Sequence, residues 1–246
     1  MLKNRYSWSP KYGLHFLYII IMKDIKFLTD EPIVTVEQIV GWEYALDAAR
    51  FTMGKELICK KPSETFIKKS IMAEHSQIKL VQYRIIIKNL KQWVGVHLLR
   101  HEHMLPFINS QRNDRNESVE GMVEKILGEL LHMIREEQPD FNPRNLLPQG
   151  TNNNHMFWLN AQTFINISRR RLCHEASKET RMIWQMIIKE LSKVDPILPQ
   201  FLVPMCVYRG FCPEMSSCGY CLSDKFKSEL TNYHNLIPPV TKRIKK

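Results

Sequence analysis

The chain lacks an apolar run long enough to cross a bilayer. Its candidate, residues 14–22, falls well short of the roughly 20 apolar residues a spanning helix needs. No small-residue cleavage site follows that run, because Lys23 and Asp24 come next, so a secretory signal is not supported. Without a secretory context the six cysteines do not read as a disulfide framework, and a reducing, cytoplasmic setting is expected. Internal repeats and long low-complexity segments are also missing, which excludes solenoids and arrays. Acidic side chains are under-represented. Against 35 Lys and Arg stand 25 Asp and Glu, for a net charge of +10, which favours anionic partners or simply a basic soluble surface.

What is present is ordinary for a globular protein. The 246 residues, 44% hydrophobic and 24% charged, suffice for one large domain with its own core. Residues 1–21 read as an upstream extension outside the fold, with a natural start at Met22 leading into a first strand near residues 22–28. Residues 22–203 read as the main domain, and residues 204–246 as a cysteine-containing loop with a basic tail. The spacing of Ile39, Trp42, Leu46 and Ala49 predicts a helix over residues 36–53, with Thr35 and Gln38 as a capping box. A short helix is expected over 66–73 and a strand over 79–90, where Val81, Tyr83, Ile85 and Ile87 alternate with polar residues. Helices are further expected over 93–99, 119–135, 157–171 and 175–193, the last ended by Pro196 and Pro199. Residues 104–116 and the Asn-rich run 152–154 read as loop and turn. Helices around a few strands imply an α+β fold.

Three polar clusters carry the chemistry. Arg100-His101-Glu102-His103 precedes Ser110-Gln111-Arg112, and Arg144-Asn145-Leu146-Leu147-Pro148 follows. The third lies on one helix, from Asn160 through Asn166 to Arg171, where successive members fan over a broad sector at ~100° per residue. Guanidinium groups match phosphate oxygens bidentately, so these clusters suit a phosphate or a pyrimidine edge. Solvated charged loops are the plainer reading of the same residues, and Arg169-Arg170-Arg171 is by default an exposed face.

The ordered set resembles the flavin-dependent thymidylate synthase family (ThyX). That family carries Arg-His-Arg, seven residues, then Ser and an Arg; here Arg100-His101-Glu102 leads to Ser110 and Arg112. Its alanine-rich first helix ending in Arg corresponds to Ala45 to Arg50. Its Gly-His-x-Ser/Thr turn corresponds to Glu74-His75-Ser76-Gln77, without the Gly. Its Arg-x-x-Leu-Pro turn is met by Arg144 to Pro148. Its Phe-Trp-x-x-Asn segment is approached, one residue shorter, by Phe157-Trp158-Leu159-Asn160, and its Ala-x-x-Glu-Ile-Arg end corresponds to Ala176 through Glu179-Thr180-Arg181. Closing Gly-x-Cys-Pro-Glu and Ser-Cys-Gly motifs correspond to Gly210 to Glu214 and Ser217 to Gly219. The resemblance covers roughly residues 22–221.

The resemblance implies a small antiparallel sheet packed with long helices, and active sites between the subunits of a homotetramer. It implies reductive methylation of dUMP to dTMP, with FAD as cofactor and NADPH and methylenetetrahydrofolate as co-substrates. It assigns dUMP to Arg100, Ser110, Gln111, Arg112, Arg144, Arg171 and His97, with Arg171 and Ser110 closest to the chemistry and Arg144 reaching in from a neighbouring subunit. It assigns FAD to His75, Gln77, His101, Glu102, His103, Asn160, Gln162 and Asn166. Four departures stand on the flavin side: Glu102 and Gln162 replace arginines, Glu175 a histidine and Leu80 a glutamate. These open two alternatives, a flavin-dependent methylase or hydroxymethylase acting on another pyrimidine nucleotide, and a non-catalytic nucleotide- or nucleic-acid-binding protein. No membrane partner is expected, and nucleic acid is disfavoured.

Cys206, Cys212, Cys218 and Cys221 fall within one short stretch. Four thiolates so placed suit a structural zinc, although only the last pair has Cys-x-x-Cys spacing; reduced loop cysteines are the alternative. Cys173 stands apart and reads as a packing residue.

Overall fold

The computed structural model describes residues 31–110, 128, 132–138 and 149–236. They form an α+β fold on one four-stranded sheet of order β1-β2-β4-β3. The strands are β1 (Ile33–Val40), β2 (Gln82–Lys91), β3 (Leu105–Ile108) and β4 (Asn152–Asn160). The helices are α1 (Trp42–Thr52), α2 (Glu64–Met72), α3 (Gln92–Leu99), α4 (Ala161–Arg171), α5 (Lys178–Val194), α6 (Met205–Arg209) and α7 (Asp224–His234). β1 pairs antiparallel with β2, setting Val36 opposite Ile85, and β3 pairs antiparallel with β4, setting Phe107 opposite Met156.

The chain divides into two compact units. One contains residues 1–31, 91–93 and 109–153; the other contains 32–90, 94–108 and 154–246. Within the first, Asn153 Nδ2 donates to Gln92 Oε1 at 3.3 Å and to the Asn109 carbonyl at 3.2 Å.

Three expectations need correction. Residues 33–40 are a strand, and the helix begins only at Trp42, so Thr35 lies opposite Ile86 in the sheet and caps nothing. The segment Ile33-Val34-Thr35-Val36 is β-branched throughout, and Val34 and Val36 are buried with period two, which overrides the helical spacing further on. Residues 105–108 form the edge strand β3, where a loop was expected. The Asn-rich run 152–154 opens β4, and α4 starts at Ala161 rather than at Phe157. Here too period two wins, since His155, Phe157 and Leu159 are buried while their neighbours are not. Most of the expected helix over 119–135 lies outside the described residues, with residues 132–137 helical; the expected strand at 22–28 lies outside them altogether.

A buried carboxylate ties the unit together. Asp195, at the C-terminal cap of α5, accepts from Trp42 Nε1 at 2.7 Å and from the Tyr83 hydroxyl at 2.6 Å. Its other oxygen accepts from the backbone N–H groups of Ile197 and Leu198 at 3.0 and 3.1 Å. One side chain thus links α1, β2 and the turn after α5, with all its partners satisfied. From Tyr83 the core continues through Phe164 on α4, edge to face at 5.3 Å, to Trp184 on α5 at 5.5 Å. Trp184 Nε1 in turn donates to Ser168 Oγ at 2.8 Å, which sets α4 against α5.

Replacing Asp195 by Ala orphans four buried donors at once, and about 3 kcal/mol or more of stability should be lost. Asp195→Asn keeps the shape and part of the bonding and should cost less. Urea denaturation of the two variants, read by Trp fluorescence, checks both the size and the order.

Candidate functional site

The side chains that carry the site sit on two flanks of α4. Its apolar sector, Ala161, Phe164 and Ile165 with Ser168, is buried, which fixes the rotation of the helix. Gln162, Asn166 and Arg169 then fall within ~60° of one another, and Arg171 lies ~180° from Gln162, by the 100° step of an α-helix. Arg169 to Arg171 read in the sequence as an exposed face with one member turned inward; the structure turns two inward. Arg170 points to solvent near Glu214 at 4.0 Å, whereas Arg169 and Arg171 turn inward on opposite sides.

On the Arg171 side, Nε donates to His101 Nε2 at 2.7 Å, and a terminal nitrogen donates to the backbone carbonyl of His97. Accepting from a guanidinium requires a free lone pair on Nε2, so His101 is neutral and carries its proton on Nδ1. Burial first, and then the positive charges of Arg171 and Arg170, pull the His101 pKa down to about 4. His97 is shifted in the same direction, by burial and by Arg171 and Arg100, and its Nδ1 lies 3.1 Å from Thr180 Oγ1. Arg171 itself is lowered by burial and by the guanidiniums of Arg100 and Arg170, and it remains a cation. Arg100 is exposed beside it. The result is a concentration of positive charge with neutral imidazoles at its edge.

On the opposite flank, Glu74 forms an internal pair. Its carboxylate is ion-paired with Arg169 and accepts from Gln162 Nε2 at 2.8 Å. Burial opposes its ionisation, but the bonds from Arg169 and Gln162 outweigh that and lower its pKa. The Arg169 guanidinium also lies 3.5 Å over the Tyr208 ring. Gln162 Nε2 reaches Asn166 Oδ1 at 3.2 Å, and Asn160 Oδ1 caps α4 by accepting from Thr163 N at 2.9 Å. Glu74 has φ +47°, a left-handed conformation that suits glycine, so its ion pair holds a side chain where the backbone favours none. His103 shares this conformation, at φ +61°, where its carbonyl accepts from Thr163 Oγ1 at 3.5 Å.

Other expected residues are placed less centrally. His75 and Glu102 are exposed, and Gln77 donates to Ser70 Oγ at 3.5 Å. Ser110 belongs to the other compact unit. Gln111, Arg112 and Arg144 lie outside the described residues. Reasoning from sequence missed Thr180, Glu74, Arg169 and Tyr208. Two signals were available: Thr180 stands where the resembled pattern has Ile, and Glu74 where it has Gly.

A cavity of about 300 Å³ lies elsewhere, lined by Arg181, Gln185, Lys225 and Glu229 among others, and contains none of the expected ligands. A cavity of about 10 Å³ is lined by Cys173, His174, Cys206, Cys212, Cys218 and Cys221. The structure thus brings the four tail cysteines together and adds Cys173, expected only as packing. All are free thiols, and among the described residues no three His, Cys, Asp or Glu side chains form a ready-made metal group. Among them also, no helix is long and apolar enough to cross a membrane.

The four-stranded sheet, with guanidiniums gathered beside neutral imidazoles at the end of α4, defines an α+β protein with a locally cationic site. The profile described as "Thymidylate synthase complementing protein" matches residues 43–197, more than half of the chain, and the chain belongs to that family. A flavin-dependent thymidylate synthase of Saccharolobus solfataricus is 25% identical over 183 residues, covering 67% of this chain and 70% of the relative. One of Clostridium tetani is 25% identical over 199 residues, covering 73% of each. Among solved structures, the UMP/dUMP methylase PolB from Streptomyces cacaoi, bound with 5-Br dUMP, superposes with TM-score 0.53. It shares 13% identity and covers 74% of this chain and 96% of PolB, a likeness of fold.

If Arg171 helps hold His101 neutral, Arg171→Ala should raise the His101 pKa from about 4 toward the ordinary ~6.5. A ¹H–¹⁵N titration of the ring checks it, and an unmoved value would leave burial and Arg170 as the causes. Because the folded-state pKa is depressed, the neutral ring's contribution to stability is complete above the unfolded value of ~6.5 and is lost as pH falls toward about 4.

Proposed function

We propose that this protein methylates dUMP at the pyrimidine C5 to give dTMP, using a flavin, methylenetetrahydrofolate and NADPH. The observation that carries the reading is the half-buried Arg171, fixed by His101 and the His97 carbonyl beside a second guanidinium, Arg100. A uracil carbonyl gains negative charge when its ring is attacked or reduced, and a pre-positioned cation stabilises that charge most where water is excluded. Two nitrogens of Arg171 are already engaged within the chain, which holds the remaining donor in place before a ligand arrives. Arg100 supplies a fork for the phosphate, and the resemblance adds Arg112 and Arg144 as further forks and Ser110 and Gln111 as neutral donors. His97 acts through Arg171, as the carbonyl beneath it.

The other flank of α4 fits the edge of a flavin ring. Gln162 Oε1 and Asn166 Nδ2, left over from the Glu74 network, offer an acceptor and a donor. A bound flavin supplies hydride, which no side chain can. Neutralisation of Arg169 by Glu74 makes this flank less cationic, so the pyrophosphate of FAD depends on residues other than Arg169. Because Gln162 and Arg171 lie on opposite flanks of one helix, a single chain offers its two half-sites to different places. That supports composite sites in a homotetramer, with Arg144 contributed by a neighbour.

The internal Glu74–Arg169 pair also favours a second reading, a methylase of the same fold with another pyrimidine nucleotide as substrate. The test uses the full chain with dUMP and UMP in parallel, NADPH, methylenetetrahydrofolate and added FAD. The account expects a flavin absorption band and methylation of dUMP, with Arg171→Ala reducing turnover by roughly 10²-fold or more. Methylation of UMP alone selects the second reading. Nucleotide binding with neither flavin nor turnover selects a non-catalytic binding protein.

A further inference from the structure

We propose that Cys173, Cys206, Cys212 and Cys221 form a structural site for one thiophilic divalent cation of the zinc class, which fastens the C-terminal loop to the end of the helix carrying Arg171. Spacing alone selects Cys206, Cys212, Cys218 and Cys221; the fold exchanges Cys218 for Cys173, a residue more than thirty positions upstream.

The exchange follows from burial. Cys206 is buried, Cys173, Cys212 and Cys221 are half-buried, and Cys218 is exposed. All five line one cavity, and the charge of Cys218 reaches Cys173 and Cys221 as well, so its exposure alone sets it apart. The shared cavity of about 10 Å³ has room for a single small atom and none for an organic ligand. Its walls come from three places: the turn after α4, the helix α6, and the loop that follows it. Left-handed glycines at Gly210 (φ +81°) and Gly219 (φ +79°) turn that loop back toward α6.

Apart from the thiols, the loop is held chiefly at Tyr220, whose ring stacks on His174 at 4.6 Å and whose hydroxyl donates to Glu229 Oε2 at 2.5 Å. Phe211, Met215 and Leu222 are 57%, 109% and 84% exposed, so apolar burial contributes little to its folding. A segment without a core is where a metal staple contributes folding free energy directly. Without a cation these cysteines are free thiols. A divalent cation displaces four protons to solvent as four thiolates close around it. The described side chains form no ready-made group of three, so binding must draw these thiols inward across the cavity. Arg170, near Glu214 on the cavity wall, and the chain's net charge of +10 offset the two negative charges of the resulting tetrathiolate.

The full chain is purified under reducing conditions, exposed to zinc and desalted, and its metal is quantified. Thiols are then alkylated with and without zinc and mapped by mass spectrometry. About one zinc per chain is expected, with Cys173, Cys206, Cys212 and Cys221 protected and Cys218 modified in both states. Cobalt substitution should give the intense visible bands of a tetrahedral thiolate site. Cys173→Ser should lose the metal and Cys218→Ser should retain it. Three results overturn the proposal: no retained metal, disulfides among these residues in the reduced preparation, or protection of Cys218 in place of Cys173. Alkylation mapping uses the unaltered protein, so a variant that fails to fold does not blunt the test.

Discussion

The rotation of α4 about its axis governs the site. Phe164 wedges between Tyr83 and Trp184, and Trp184 donates to Ser168, so the helix has one seating. Everything polar on it is then distributed by helical geometry: Gln162, Asn166 and Arg169 to one flank and Arg171 to the other. A small rotation would bury one set and strand the other. Asp195 secures the partners of that seating, because the tyrosine that packs on Phe164 is the one that donates to its carboxylate.

Chemistry follows from what each flank lacks. Beside Arg171 the near neighbours are guanidiniums and neutral rings, and that imbalance of charge is stabilised best by an anion. Beside Arg169 a carboxylate already supplies the compensation, and what remains is a set of amides suited to a neutral heterocycle. The proposed function assigns a phosphate-bearing pyrimidine to the first flank and a flavin edge to the second. Glu74 marks where this chain departs from the resembled pattern, and it does so at a left-handed backbone position where a side chain needs its ion pair to be retained.

Much of this was legible in the sequence, and the reasons differ by element. The strand at residues 82–91 shows clean alternation, and the helices ending at Arg171 and Val194 have strong periodicity and stop signals, so these were readable. The strand at 33–40 was hidden because Ile39 and Trp42 happen to fit a helical period that runs on from the real helix. The strand at 152–160 was hidden because asparagines mimic a turn, and only burial of His155 and Phe157 distinguishes it. Arg171 as a site residue came from motif order. Its fixation by His101 and the His97 carbonyl did not, since neither contact is implied by spacing. Convergence of Cys173 on the tail thiols was likewise invisible, because it depends on where α4 ends in space.

The measurement that bears most directly on the central claim is a crystal structure of the full chain with FAD and a 5-halogenated dUMP. The account predicts the pyrimidine within hydrogen-bond reach of the Arg171 guanidinium, the phosphate among arginines that include Arg100, and the flavin edge against Gln162 and Asn166. A nucleotide seated instead in the cavity beside Arg181 and Lys225, with Arg171 untouched, would contradict it.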